Sequence, residues 1–120
     1  MIILPDEIRH LNQERCDRWH NNKDDWTLGD WGNALAGEVG ELCNVVKKIR
    51  RHEINASVKY NTPELFALLD SFSEEVADVL LYLDLLCWKV GIGPDHLLEI
   101  LKSKFNEVSM ANEWPDLIIE

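Results

Sequence analysis

Four stretches of this chain repeat apolar residues at intervals of three and four, and no stretch alternates convincingly with period two. That periodicity predicts an all-α, four-helix bundle-like fold. The first helix is expected from about Asp6 to His20, opened by Pro5 and Asp6, with Ile8, Leu11, Arg15 and Trp19 on one row. The polar run at 21–25 breaks it. The second is expected from about Leu28 to His52. Thr27 is its N-cap and Asp30 the capping-box-like partner. Leu35, Val39, Leu42, Val46 and Ile49 form its apolar stripe, and Lys47, Lys48, Arg50 and Arg51 crowd the end where the helix dipole favours cations. Gly37 and Gly40 each cost up to ~1 kcal/mol relative to Ala inside a helix, so something is expected to approach the backbone there. The third helix ends near Val90 and has two candidate starts. Thr62-Pro63 is a cap and first-position pair, and Ser71-x-x-Glu74 matches a capping box, so either two helices or one kinked helix is expected. Val76, Leu80, Leu83 and Cys87 are its stripe. The fourth follows Gly91-Ile-Gly-Pro94, turns Leu97, Leu98, Leu101 and Phe105 inward, and ends near Asn112. Trp114-Pro115 and Leu117 to Ile119 form a tail expected to pack on a partner.

A chain of 120 residues fits one domain, 1–120, with a modest core. A bundle of this size with a wide groove needs partner subunits to cover its remaining apolar faces. The net charge is −10, from 12 basic and 22 acidic residues. That balance argues against binding duplex nucleic acid, which needs a basic face. It leaves room for a phosphate-bearing small substrate, because carboxylates hold divalent cations and the cations hold phosphates. The apolar start at Met1 is too short for a signal peptide, and no apolar run approaches the ~20 residues that span a bilayer. Cys16, Cys43 and Cys87 are far apart and odd in number, so a disulfide framework or zinc knuckle is not expected. A reducing cytoplasm fits, with Cys43 and Cys87 as buried, inert thiols.

Two carboxylate pairs stand out: Glu38-x-x-Glu41 and Glu75-x-x-Asp78. Residues three apart project from one side of a helix. If the two helices pack antiparallel, the pairs face one another and form an oxygen-only set suited to Mg²⁺ or Mn²⁺. In so acidic a chain such pairs also arise by chance on solvated faces. Here, however, both lie at the edge of a core-facing surface, where carboxylates are costly unless paired or metal-bound.

Gly37-Glu-Val-Gly-Glu-Leu42, followed by Glu74-Glu-Val-Ala-Asp-Val-Leu-Leu-Tyr-Leu83, resembles the signature of MazG-type enzymes in the all-α NTP pyrophosphatase superfamily. The resemblance covers roughly residues 12 to 112, and the gap between motifs is closest to the dCTP pyrophosphatase-like branch. It implies a helical bundle, dimers or tetramers, and Mg²⁺-dependent hydrolysis of a nucleoside triphosphate, deoxy forms preferred, to monophosphate and pyrophosphate. Glu38, Glu41, Glu75 and Asp78 would be the Mg²⁺ ligands, with Glu75 rather than Glu74 in the site. Glu38 or Glu41 would also act as the catalytic base. Lys104-Phe-Asn106 resembles the family's downstream motif, in which Lys and Asn approach the phosphates; a solvated Lys on an amphipathic helix is the alternative. The family often carries an Arg a few residues later, where this chain has Met110-Ala-Asn112.

Trp19, Trp26 and Trp31 precede the first carboxylate pair in a region that lines the base pocket of related enzymes, and Tyr82 lies one turn beyond Asp78. Trp19, Trp31 and Tyr82 are candidate substrate contacts through stacking; packing in the core or a subunit interface is the alternative for each tryptophan. There is no HExxH, no GxxxxGK[ST] and no GxSxG. Glu7-x-x-His10 is a single ExxH where a ferritin-like di-iron site needs two. A nucleotide-pool house-cleaning enzyme is therefore expected. A non-catalytic helical oligomerisation module, and a dUTPase-like or phosphoribosyl-ATP pyrophosphatase-like enzyme on the same scaffold, are the alternatives.

Overall fold

The computed structural model describes residues 5–20, 26–55 and 62–118, and among them it holds four α-helices and no strand. They are α1 (Asp6–Trp19), α2 (Leu28–Asn55), α3 (Pro63–Lys89) and α4 (Pro94–Ala111). Local chemistry explains their ends. Thr27 and Asp30 cap α2 reciprocally: the Thr27 N–H donates to Asp30 Oδ2 at 2.8 Å, and the Asp30 N–H donates to Thr27 Oγ1 at 3.1 Å. At α3, Thr62 Oγ1 accepts the Leu65 N–H at 3.1 Å. Of the two candidate starts, this is the one used. The helix runs unbroken through Ser71-x-x-Glu74, and Ser73 inside it turns its hydroxyl back to Leu69 O at 3.1 Å.

Helices α3 and α4 end in the same device. After α3, the Gly91 N–H donates to Trp88 O at 3.0 Å and the Ile92 N–H to Cys87 O at 2.8 Å, with Gly91 left-handed at φ 83°. After α4, the Glu113 N–H donates to Met110 O at 3.3 Å and the Trp114 N–H to Ser109 O at 2.7 Å, with Glu113 at φ 59°. Both are Schellman closures. Only the first has the glycine that the backbone favours.

The chain divides into two compact units, Lys23–Leu86 and Met1–Asn22 with Cys87–Glu120. In the first, α2 and α3 run antiparallel. Trp31 meets Tyr82 with ring centroids 6.5 Å apart, Glu38 meets Glu75, and His52 Nε2 lies 3.1 Å from Thr62 Oγ1. Partner positions fall along α3 as they rise along α2. Trp31, Val45, Leu65 and Leu85 are buried.

The innermost line of α2 differs from the expected stripe. It passes through Trp31, Glu38, Val45 and His52, seven residues apart, whereas Val39 and Val46 of the stripe are exposed. Of the α3 stripe, Val76, Leu80 and Cys87 are half-buried and Leu83 is exposed, and the covered side also takes in Leu65, Leu68, Glu75, Val79 and Tyr82. Gly37 and Gly40 face open space: a Cβ placed on either would meet nothing within 4 Å. No close neighbour among the described residues accounts for them. Cys43, expected inside, is exposed; Cys16 is the buried thiol and Cys87 is half-buried. Its neighbours explain Cys43: the buried side of α2 passes through Leu42 and Val45 and leaves position 43 outside.

In the second unit the same displacement recurs. Helix α1 turns Arg9, Asn12 and Cys16 inward, while Ile8, Leu11 and Trp19 of the expected row are exposed. Arg9 Nη1 donates to Ile92 O at 2.9 Å, tying α1 to the turn that closes α3. On α4, Ser109 is buried whereas Leu101 and Phe105 are exposed. No described helix is long and apolar enough to cross a membrane.

Candidate metal centre

Three carboxylates meet inside the α2–α3 unit. Glu38 and Glu75 sit on the covered lines of their helices and are half-buried; Glu41, one turn beyond Glu38, is exposed. One oxygen from each of Glu38, Glu41 and Glu75 lies within 4.8 Å of the other two. Antiparallel pairing brings them together, because it sets the middle of α2 against the middle of α3. Asp78 is exposed and outside that trio, yet its charge reaches both glutamates.

The electrostatics are unfavourable for the bare protein. Burial raises the Glu38 carboxyl above its ordinary 4.5, and repulsion from Glu41 and then Asp78 raises it further. Glu75 is raised for the same reasons in the same order. The Oε2 atoms of Glu38 and Glu75 are enclosed and accept no hydrogen bond. No Lys or Arg occupies a position one turn to either side of these four carboxylates on their own helices. Enclosed carboxylate oxygens without donors are costly. A hard divalent cation would supply what is missing, and an all-oxygen set suits Mg²⁺ or Mn²⁺. The residues present therefore fit such an ion.

An aromatic group lies seven residues along both helices from the carboxylates, about 10 Å at 1.5 Å per residue. Trp31 is 3% exposed and packs against Trp26, ring centroids 4.6 Å apart at 55°, and against Tyr82 at 48°. Trp31 is thus a core residue of this unit, and half-buried Trp26 and Tyr82 flank it.

The remaining sequence candidates belong to the other unit. Trp19 is 70% exposed, with the Arg15 guanidinium 4.9 Å from its ring centre. It borders a shallow depression of about 350 Å³ lined by Leu11, Glu14, Arg15 and Arg18. Lys104 Nζ lies 3.2 Å from Glu107 Oε1 on the surface of α4. Asn106 is engaged by the segment that follows α4: its Oδ1 accepts the Ile118 N–H at 2.7 Å and its Nδ2 donates to Ile118 O at 2.5 Å. Sequence reasoning missed this pairing, since nothing periodic links an amide on a helix to a backbone twelve residues on. Comparison with protein-family models, characterised proteins and solved structures finds no match.

Proposed function

We propose that this protein is a Mg²⁺-dependent nucleoside triphosphate pyrophosphohydrolase of the MazG type. On this reading it acts on deoxynucleotides in nucleotide-pool house-cleaning in the cytoplasm, and works as a homo-oligomer. One observation carries the reading: carboxylate oxygens of Glu38, Glu41 and Glu75 converge, and the Oε2 atoms of Glu38 and Glu75 are enclosed without a hydrogen-bond donor. The spacing of about 10 Å along the helices between this group and the Trp26, Trp31 and Tyr82 aromatics supports it, because it suits a ligand with a base at one end and phosphates at the other.

In this reading Glu38, Glu41 and Glu75 hold the ion, and Asp78 completes the set from the rim. The bound ion would neutralise phosphate charge and acidify a water molecule. Glu41, the solvent-facing member, takes the proton of the attacking water. That water forms a bond to the α-phosphorus, the bond to the bridging oxygen breaks, and pyrophosphate leaves with the electron pair. Tyr82 and Trp26 touch the base or sugar, with Trp31 holding both in place. Lys104, Asn106 and Trp19 are assigned to the substrate by the resemblance alone.

The test is incubation with each common NTP and dNTP, with Mg²⁺ or with EDTA, and chromatography of the products. Monophosphate plus pyrophosphate, formed only with Mg²⁺, is the expected outcome. Glu41→Ala and Asp78→Ala should abolish turnover while preserving the helical circular dichroism; near-normal turnover in either would sink the assignment. The exposed apolar rows favour a second reading, a non-catalytic oligomerisation module, which predicts no thermal shift with Mg²⁺.

A further inference from the structure

Residues 113–118 double back along the helix they leave. Two fastenings hold them: the turn at Glu113, and the Asn106 amide, which clasps the N–H and the carbonyl of Ile118. The turn is the weak part. Glu113 is left-handed at φ 59°, which disfavours any residue with a Cβ. It closes by giving the Glu113 N–H to Met110 O and the Trp114 N–H to Ser109 O. If α4 simply continued, the Glu113 N–H would reach Ser109 O and the Trp114 N–H would reach Met110 O. The same two donors would meet the same two carbonyls, crossed over. Opening the turn therefore costs no hydrogen bond there and relieves Glu113. Pro115 would then end the helix, and Trp114 before it favours extended backbone, so the segment would run away from α4. The fold-back also covers little. Phe105, Val108 and Met110 of α4 stay exposed, as do Trp114, Leu117 and Ile118 of the segment.

We propose that two copies of this chain exchange residues 113–118, each laying Ile118 in the Asn106 clasp of the other. The clasp holds backbone atoms of one residue, and a second copy brings the same residue in the same segment. What changes on exchange is the turn: each chain sheds one left-handed residue, and a strained hinge favours such a swap. Reach is sufficient. Extended, residues 113–118 span up to ~20 Å, and packed helices lie about 8–10 Å apart. The exchange is reciprocal, so a two-fold axis closes the pair. The exposed apolar residues of both segments and both helices then come together. The inference deepens the homo-oligomer reading above and rests on it, and it is independent of the reaction.

Complementation between two full-length variants tests it. Asn106→Leu destroys the clasp and keeps the segment. Ile118→Pro keeps the clasp and puts a ring carbon where Asn106 Oδ1 now accepts the N–H, so the segment no longer fits. Neither variant makes the clasp alone, whether folded back or exchanged. Mixed, they restore one clasp only by exchange, the intact segment of the first lying on the intact amide of the second. Native mass spectrometry of the mixture is expected to show heterodimer in excess of random pairing. Its affinity is expected to exceed that of either homodimer by at least about fivefold, the worth of one net hydrogen bond. In the same instrument Glu113→Gly, which relieves the folded-back form alone, is expected to weaken the dimer by about fivefold. Random pairing, no heterodimer, or an unweakened Glu113→Gly dimer overturns the exchange; a dimer of the unsubstituted chain would keep the homo-oligomer reading standing. An unsubstituted chain that stays monomeric at every concentration removes both.

Discussion

Glu113 and Gly91 occupy the same position in two equivalent helix closures, and only Glu113 carries a Cβ at positive φ. The left-handed region costs an L-residue roughly 1–2 kcal/mol. Glu113→Gly is therefore expected to raise stability, by up to about 1 kcal/mol after the entropy a glycine loses on folding is deducted. Chemical denaturation would measure it, and a destabilised variant would show that the Glu113 side chain holds the turn in some other way. Glu38 and Glu75 make a pH prediction. Their folded-state pKa values lie above the ordinary 4.5 because burial, then neighbouring carboxylates, disfavour the charged form. Such a group favours the folded state fully below its unfolded value and loses that contribution as pH rises through the raised value. From these two groups, the metal-free protein is expected to lose stability as pH climbs from 4.5 toward neutrality. Mg²⁺ competes with protons for the same oxygens, so its thermal shift is expected to be larger near neutrality than at about pH 5. A shift of equal size at both would place the ion elsewhere.

At the scale of helices, the sequence was legible where chemistry is local and illegible where it is not. Thr27 with Asp30, Thr62 before Pro63, and Pro94 after a glycine pair mark helix ends through capping rules, and all three operate in the structure. The choice between Thr62 and Ser71 could not be made that way, because both match a cap and only the continuity of α3 decides. Which row faces inward was also hidden. Hydrophobicity put Val39 and Val46 at the centre of α2, whereas pairing with α3 puts Glu38 and Val45 there. The same pairing was half-legible at the site: three apart means one face, so Glu38 and Glu41 were predictable together. Their meeting with Glu75 depended on register, which no local signal sets. Gly37 and Gly40 remain a test of what lies outside this chain. With open space around both, Gly→Ala at either position should stabilise the isolated chain by about 0.5–1 kcal/mol. If the face packs closely on another subunit, the same substitutions are expected to weaken assembly, and sedimentation beside thermal melting would separate the two effects.

For the molecule as a whole, the recurring fact is that apolar rows stay outside: Ile8, Leu11 and Trp19 on α1, Val39 and Val46 on α2, and Leu101 and Phe105 on α4. Single exposed apolar residues are ordinary, but rows of them mark contact surfaces. Self-association is the economical cover, since one sequence then supplies both faces. Analytical ultracentrifugation is expected to give a dimer or tetramer, and replacing Val46 by Asp should shift it toward monomer. A monomer at every concentration would leave these rows to a different partner.

The antiparallel pairing of α2 and α3 has a further consequence for how such a chain can change in length. Trp31 and Glu38 share one line because seven residues are nearly two full turns; Glu75 and Tyr82 do the same on the opposing helix. One residue inserted between Trp31 and Glu38 would swing everything after it by about 100°, parting Glu38 from Glu75. Seven residues inserted in each helix at matching heights would preserve both meetings and move them about 10 Å further apart. The hairpin behaves as a notched ruler, on which the distance from aromatic group to carboxylates changes in whole steps or not at all.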